Sequence, residues 1–209
     1  MKFILLLIFS LFQLISSGQK TGADYLVSFS DNSSGKDLYG FKTVKGKINI
    51  QPSYIHVSTE KMYSIAFVVL NDHWVAINRS DSILLTPFIF DNGPDYFKEG
   101  LFRYVENNKM GFANLKGEKM ILPKFDFATP FANGLAAFNV GGHTAKGGEE
   151  HSLWEDGLWG FVDKKVKIVI EPKFMRVLNF KNNFAEAITQ DQKHVLIDKK
   201  GKICKVFKN

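Results

Sequence analysis

The chain has 209 residues, a formal charge of +6, one cysteine, 45% apolar residues and 20 phenylalanines. That aromatic content argues against a disordered chain, and the single cysteine excludes an intramolecular disulfide. The positive charge is spread over short recurring turns instead of one basic block, so a solvated face is expected and nucleic acid is not.

The chain opens with Lys2, an apolar run from Phe3 to Ile15, and the small residues Ser16, Ser17 and Gly18. This pattern predicts a secretory signal peptide over 1–18, cleaved before Gln19. The run is shorter than the roughly 20 apolar residues of a transmembrane helix, and no later stretch is long and charge-free enough. Residues 19–209 are expected to form one exported β-repeat domain, periplasmic, cell-surface or secreted.

Five segments then align without gaps, starting at Tyr39, Trp74, Met110, Trp159 and His194. The successive starts lie 35, 36, 49 and 35 residues apart, and the long interval contains an insertion over 141–157. The fifth column holds Thr43, Asn78, Asn114, Asp163 and Asp198, and the eighth holds Gly46, Asp81, Gly117, Val166 and Gly201. A short polar side chain that accepts backbone N–H groups, followed by a left-handed position, predicts a hairpin with a bulged turn. Val166 is β-branched and ill suited to positive φ, so its turn must be altered or strained.

Short alternating stretches precede each hairpin, at Tyr25, Ser64, Gly100, Gly134 and Asn183. Each reads as a strand, so every unit is predicted to be a three-stranded antiparallel meander. The units run over about 25–52, 64–87, 100–123, 134–172 and 183–207. Pro52, Pro87, Pro123 and Pro172 are expected to end the third strands, because Pro cannot donate to a ladder. Aromatics follow at Tyr54, Phe125 and Phe174, and again at Phe97, Phe131 and Phe180, as wedges between units; Ile89 and Tyr63 stand in at two places. Cys204, aligned with Val169, reads as a buried apolar filler. The fold class expected is all-β: five tandem meanders of about 35 residues, in an open twisted array or a small five-bladed propeller.

The columns Trp159-Gly160-Phe161 with Asp163, then "KIVIEPKF" and "FANGLAAF", resemble the WG-repeat family over about Tyr25 to Cys204. The resemblance implies a bacterial repeat protein of β structure and carries no common catalytic activity onto any residue here.

Asp163 and Asp198 could be a glycosidase pair, yet they share a turn position with Asn78, Asn114 and Thr43, where no charge is needed. No nucleophile, metalloprotease, P-loop or dinucleotide motif is present. His143, Glu149, Glu150 and His151 lack zinc-site spacing, so neither metal nor cofactor is expected. Partner binding is placed on the insertion at Trp154, Glu155, His143 and His151, an aromatic with a polar rim on a grafted loop. Trp154 packing back onto the array is the competing expectation. The first functional reading is a non-enzymatic module binding a protein or a cell-envelope glycan, in an oligomeric state the sequence leaves open. The second is a hydrolase or lyase acting on a polysaccharide with acids from different units.

Overall fold

The computed structural model describes residues 24–33, 35–144 and 154–208; the signal-peptide expectation and His151 lie outside them. No helix occurs among the described residues. The five meanders are present. They comprise Leu26–Asp31, Leu38–Thr43 and Ile48–Tyr54; Ile65–Leu70, His73–Asn78 and Ile83–Pro87; and Leu101–Glu106, Lys109–Asn114 and Lys119–Phe125. The last two are Leu135–Val140, Leu158–Asp163 and Ile168–Val177, then Phe184–Thr189, His194–Asp198 and Ile203–Val206.

The bulged turns form as their residues require. The N–H of Gly46, Asp81, Gly117, Val166 or Gly201 donates to the carbonyl of the residue three earlier, at 2.9–3.1 Å. All five take positive φ, from 62° at Asp81 to 88° at Gly46. Val166 is therefore strained, at φ 67°, and its turn is unaltered. The strain, of order 1–2 kcal/mol, is offset by packing of Val166 onto the core between the third and fourth units.

The proline expectation is corrected. Pro52, Pro123 and Pro172 lie inside their third strands, which run on to Tyr54, Phe125 and beyond Phe174. In the fourth unit Trp159 faces Phe174 and Phe161 faces Ile170, so Gly160 alone opposes Glu171, Pro172 and Lys173. The first and third units repeat this bulge opposite Gly40 and Gly111. A bulge leaves its extra residues out of the ladder, so the missing proline donor costs nothing there. The bulge also presses on the glycine: a Cβ on Gly160 would lie 2.5 Å from the Ile170 carbonyl oxygen and 2.8 Å from the Pro172 nitrogen. Val75 and Val195 replace this glycine in the second and fifth units, and neither unit has the bulge. The second unit's third strand instead diverges, pairing Thr86 and Pro87 with Val105 and Tyr104 of the third unit.

Strand alternation sets how units pack, because successive side chains point to opposite faces. In Leu135–Val140, Ala136 and Phe138 join the core shared with the third unit, while Leu135 and Ala137 join the core shared with the fifth. The same split recurs in the second and third units. Four buried cores result, each drawn from two consecutive units, and among the described residues none joins the fifth unit to the first. Fully buried Phe41, Phe112 and Phe161 are central to three of them, each contributing roughly 2–3 kcal/mol.

Each turn also leans on the third strand of the preceding unit. A Cβ on Gly117 would lie 2.5 Å from Leu84, and one on Gly201 would lie 3.0 Å from Ile170. The Tyr54 hydroxyl donates to Asp81 at 2.5 Å, and burial followed by that carboxylate drives the phenol's pKa upward. Gly46, in the first unit, has nothing within 4 Å, and Ile203–Val206 in the fifth is exposed throughout. The architecture is therefore an open array, which decides against the propeller alternative.

The wedges are partly as expected. Phe131 and Phe180 are 2% exposed, but Phe97 and Ile89 are both exposed, at 39%. Between the first two units the wedge is Met62, fully buried beside Leu26, whereas Tyr63 is exposed. Cys204 is exposed too, because no sixth unit covers its strand among the described residues.

Because the bulge presses on its Cα, Gly160→Ala is expected to cost about 3 kcal/mol, as overpacking against backbone does. Gly46→Ala, strained at φ 88° but facing open space, is expected to cost about 1–2 kcal/mol. Urea unfolding midpoints compare the two.

Candidate functional site

The insertion leaves the fourth unit between Leu135–Val140 and Leu158–Asp163, with Gly141 and Gly157 at positive φ where it exits and returns. Asn139, fully buried, clamps its base. Its Oδ1 accepts the Gly142 N–H at 2.9 Å, and its Nδ2 donates to the Asp156 carbonyl at 3.1 Å. Beyond the clamp, His143–Thr144 pairs with Trp154–Glu155, His143 opposite Glu155. The loop therefore starts on a two-stranded stub held by a buried amide.

Trp154 turns inward. Its indole stacks on Phe127 with centroids 5.1 Å apart and planes 25° apart, and Phe127 meets Trp159 edge-on at 5.9 Å. The ring joins the margin of the core between the fourth and fifth units. Its Nε1 is buried without a hydrogen-bond partner among the described residues, which costs about 1–3 kcal/mol. Glu155 and His143 are exposed, and the His143 imidazole lies 3.7 Å from the Asp156 carboxylate. The structure thus brings His143, Glu155 and Asp156 together on the outer side of the stub and assigns Trp154 to its foundation.

The acids considered for catalysis are engaged separately. Asp163 Oδ1 accepts the N–H groups of Lys165 and Lys167 at 2.8 and 2.9 Å, and Asp198 Oδ1 accepts those of Lys200 and Lys202 at 2.9 Å. Asn114 does the same with Lys116 and Glu118 at 2.9 and 3.1 Å. Among the described residues no three His, Cys, Asp or Glu side chains gather as a metal site would require.

A buried ion pair escaped the sequence reading. Arg103 donates to Asp95 through Nε and Nη2, both at 2.7 Å, and through Nη1 to the Ala128 carbonyl at 2.9 Å. The guanidinium lies 4.4 Å above Phe88 and 5.8 Å from Phe127. Each of its three nitrogens is engaged internally, so it staples the segment before the third unit to the segment after it. The sequence signal is an Arg between the apolar residues Phe102 and Tyr104 of its strand.

Two further carboxylates join units at the surface. Lys109 and the Gly141 N–H bond Asp126, with Lys109 the larger cause, and hold its pKa below the ordinary value against burial. Burial alone would raise Glu99; the Lys164 ammonium and the amides of Gly134 and Asn133 outweigh it and lower its pKa.

Compared with known proteins, the chain matches a family model described as "WG containing repeat" at residues 110–142 and 159–189. No curated protein matches it. Among solved structures it is similar to a computationally designed protein, Ika8, at 8% identity with a TM-score of 0.38; the alignment covers 89% of this chain and 59% of that one.

Removing one partner of a buried ion pair strands the other, so Asp95→Ala is expected to destabilise by about 3–5 kcal/mol. The double variant Asp95→Ala, Arg103→Met is expected to recover much of that loss, read by urea unfolding. Because Asp126 and Glu99 are depressed, the stability they contribute is present above their unfolded values of about 4 and is lost as pH falls through the lower folded values. Thermal melts from pH 7 to pH 2 are expected to show that acid loss, with a shallower slope in Asp126→Asn.

Proposed function

From a chain that carries two WG containing repeats, we infer a non-enzymatic interaction module of an exported protein, which holds a protein or an envelope glycan through groups displayed on a rigid β array. The observation that carries this reading is the employment of the acids. Asp163 and Asp198 each complete a turn of a different unit, in the role that uncharged Asn114 fills elsewhere. A hydrolase or lyase needs carboxylates facing a shared cleft.

The insertion is the display element. Its base is fixed by Asn139 and by the Trp154–Phe127 stack, which leaves His143, Glu155 and Asp156 as an exposed polar rim. Rigid support for such groups lowers the ordering cost of binding. Export to the envelope follows from the amino-terminal pattern, and identification of the mature amino terminus tests it.

Affinity capture from envelope extract by the mature protein tests the binding role. Deleting Gly142 to Ser152 is expected to keep the fold, with a lower thermal midpoint from the loss of the Asn139–Gly142 hydrogen bond, and to abolish capture; unchanged capture contradicts the assignment. Asp163→Asn and Asp198→Asn are expected to leave both stability and capture intact, since Asn makes the same turn. Polysaccharide cleavage that disappears in those variants would favour the enzymatic reading instead.

A further inference from the structure

The fifth unit contains a vacant counterpart of the place where Trp154 sits. Strand registers establish the correspondence. In the fourth unit Phe127 faces Asn139 and Asn139 faces Trp159; in the fifth, Arg176 faces Ile188 and Ile188 faces His194. Phe127, Ala137, Asn139 and Trp159 thus map onto Arg176, Glu186, Ile188 and His194. The fourth unit's set is covered by the indole of Trp154. The fifth unit's set lines a cavity of about 230 Å³, with Val177, Leu178 and Ala187 completing its walls.

We propose that this cavity receives an aromatic side chain of indole size from a partner polypeptide. Its volume is below the roughly 300–1,000 Å³ of sites for whole small molecules, a scale that suits one side chain. Arg176 stands where Phe127 supports Trp154, and its guanidinium has no hydrogen bond or ion pair among the described residues. A planar guanidinium stacks on an aromatic face as a phenyl ring does and adds cation–π attraction. Glu186 stands where the fourth unit has Ala137. One of its oxygens holds His194 Nε2 at 2.8 Å, and the other can accept the indole N–H, the group that in Trp154 has no partner among the described residues. Val177, Leu178 and Ile188 supply the apolar contact. A sugar is the poorer fit, because it stacks on exposed aromatic faces and the one aromatic in the lining, His194, is already covered by Phe207 at 4.3 Å. The site lies on the outer face of the fifth unit, apart from the insertion, and stands or falls independently of it.

The test is a titration of the mature protein with N-acetyltryptophanamide, followed by NMR of the Ile188 methyl groups and the His194 ring. N-acetylleucinamide and N-acetylglucosamine serve as comparison probes. The expected result is saturable shifts at both residues with the indole probe, absent with the other two, and weakened about threefold or more in Arg176→Ala. Ile188→Trp, which fills the cavity from within, is expected to abolish the shift of the His194 ring while its thermal midpoint shows the fold intact. No shift with the indole probe, equal shifts with the leucine probe, or undiminished shifts in Arg176→Ala would overturn the proposal. Tighter binding of the sugar at these residues would overturn it in favour of a glycan site. Deletion of Gly142 to Ser152 is expected to leave the titration unchanged, so failure here and failure of the insertion as a display element are read separately.

Discussion

The structure depends on the close approach of a bulged third strand to a glycine with no side chain. In the first, third and fourth units the bulge rests on Gly40, Gly111 and Gly160. The extra residues let the strand bend around its neighbour, bringing Tyr54, Phe125 or Phe174 opposite the aromatic or Met that precedes the glycine. Those residues belong to the cores between units, so a steric condition within one sheet fixes the packing between sheets. Because both faces of each inner meander are covered, alternation along a strand serves two neighbours instead of separating core from water. Stability in such an array approximates a sum of nearest-neighbour terms.

The same logic explains the ends. Positions that carry Leu135, Ala137 and Trp159 in the fourth unit carry Phe184, Glu186 and His194 in the fifth, and the last two are polar and partly exposed. On the opposite side, the first unit shows Lys42 over the Phe29 ring. Both outer faces are more polar than the internal ones, yet the fifth keeps a cavity of about 230 Å³, larger than the one of about 120 Å³ between the second and third units. The insertion and this outer face both present shaped, chemically mixed surface.

Much of the fold was legible because it is written in local chemistry. The turn columns name residues whose side chains and φ values act within four or five positions, so all five turns could be read directly. The prolines misled because a missing donor signals a strand edge only where the donor is needed; opposite Gly160 it is not. Met62 was overlooked because the neighbouring Tyr63 offered an aromatic, while the buried position requires only an apolar side chain that pairs beside Leu26. Cys204 matched Val169 in sequence but is exposed, because among the described residues no neighbouring unit covers its strand. At the candidate site, the Asn139 clamp, the Arg103–Asp95 pair and the Trp154–Phe127 stack join residues from different elements, and no local pattern records such partners. The cavity beside Arg176 is lined from three strands, and no single strand's pattern records it.

Site-resolved amide hydrogen exchange under native conditions tests the open, two-faced stack most directly. The account requires the slowest exchange in strands with neighbours on both sides, at Ile77, Phe112 and Phe161, and the fastest among strands in Ile203–Val206, with the first unit between. Equal protection in all five units, or protection of Ile203–Val206 as strong as that of Ile168–Val177, would mean that the ends meet and would contradict it.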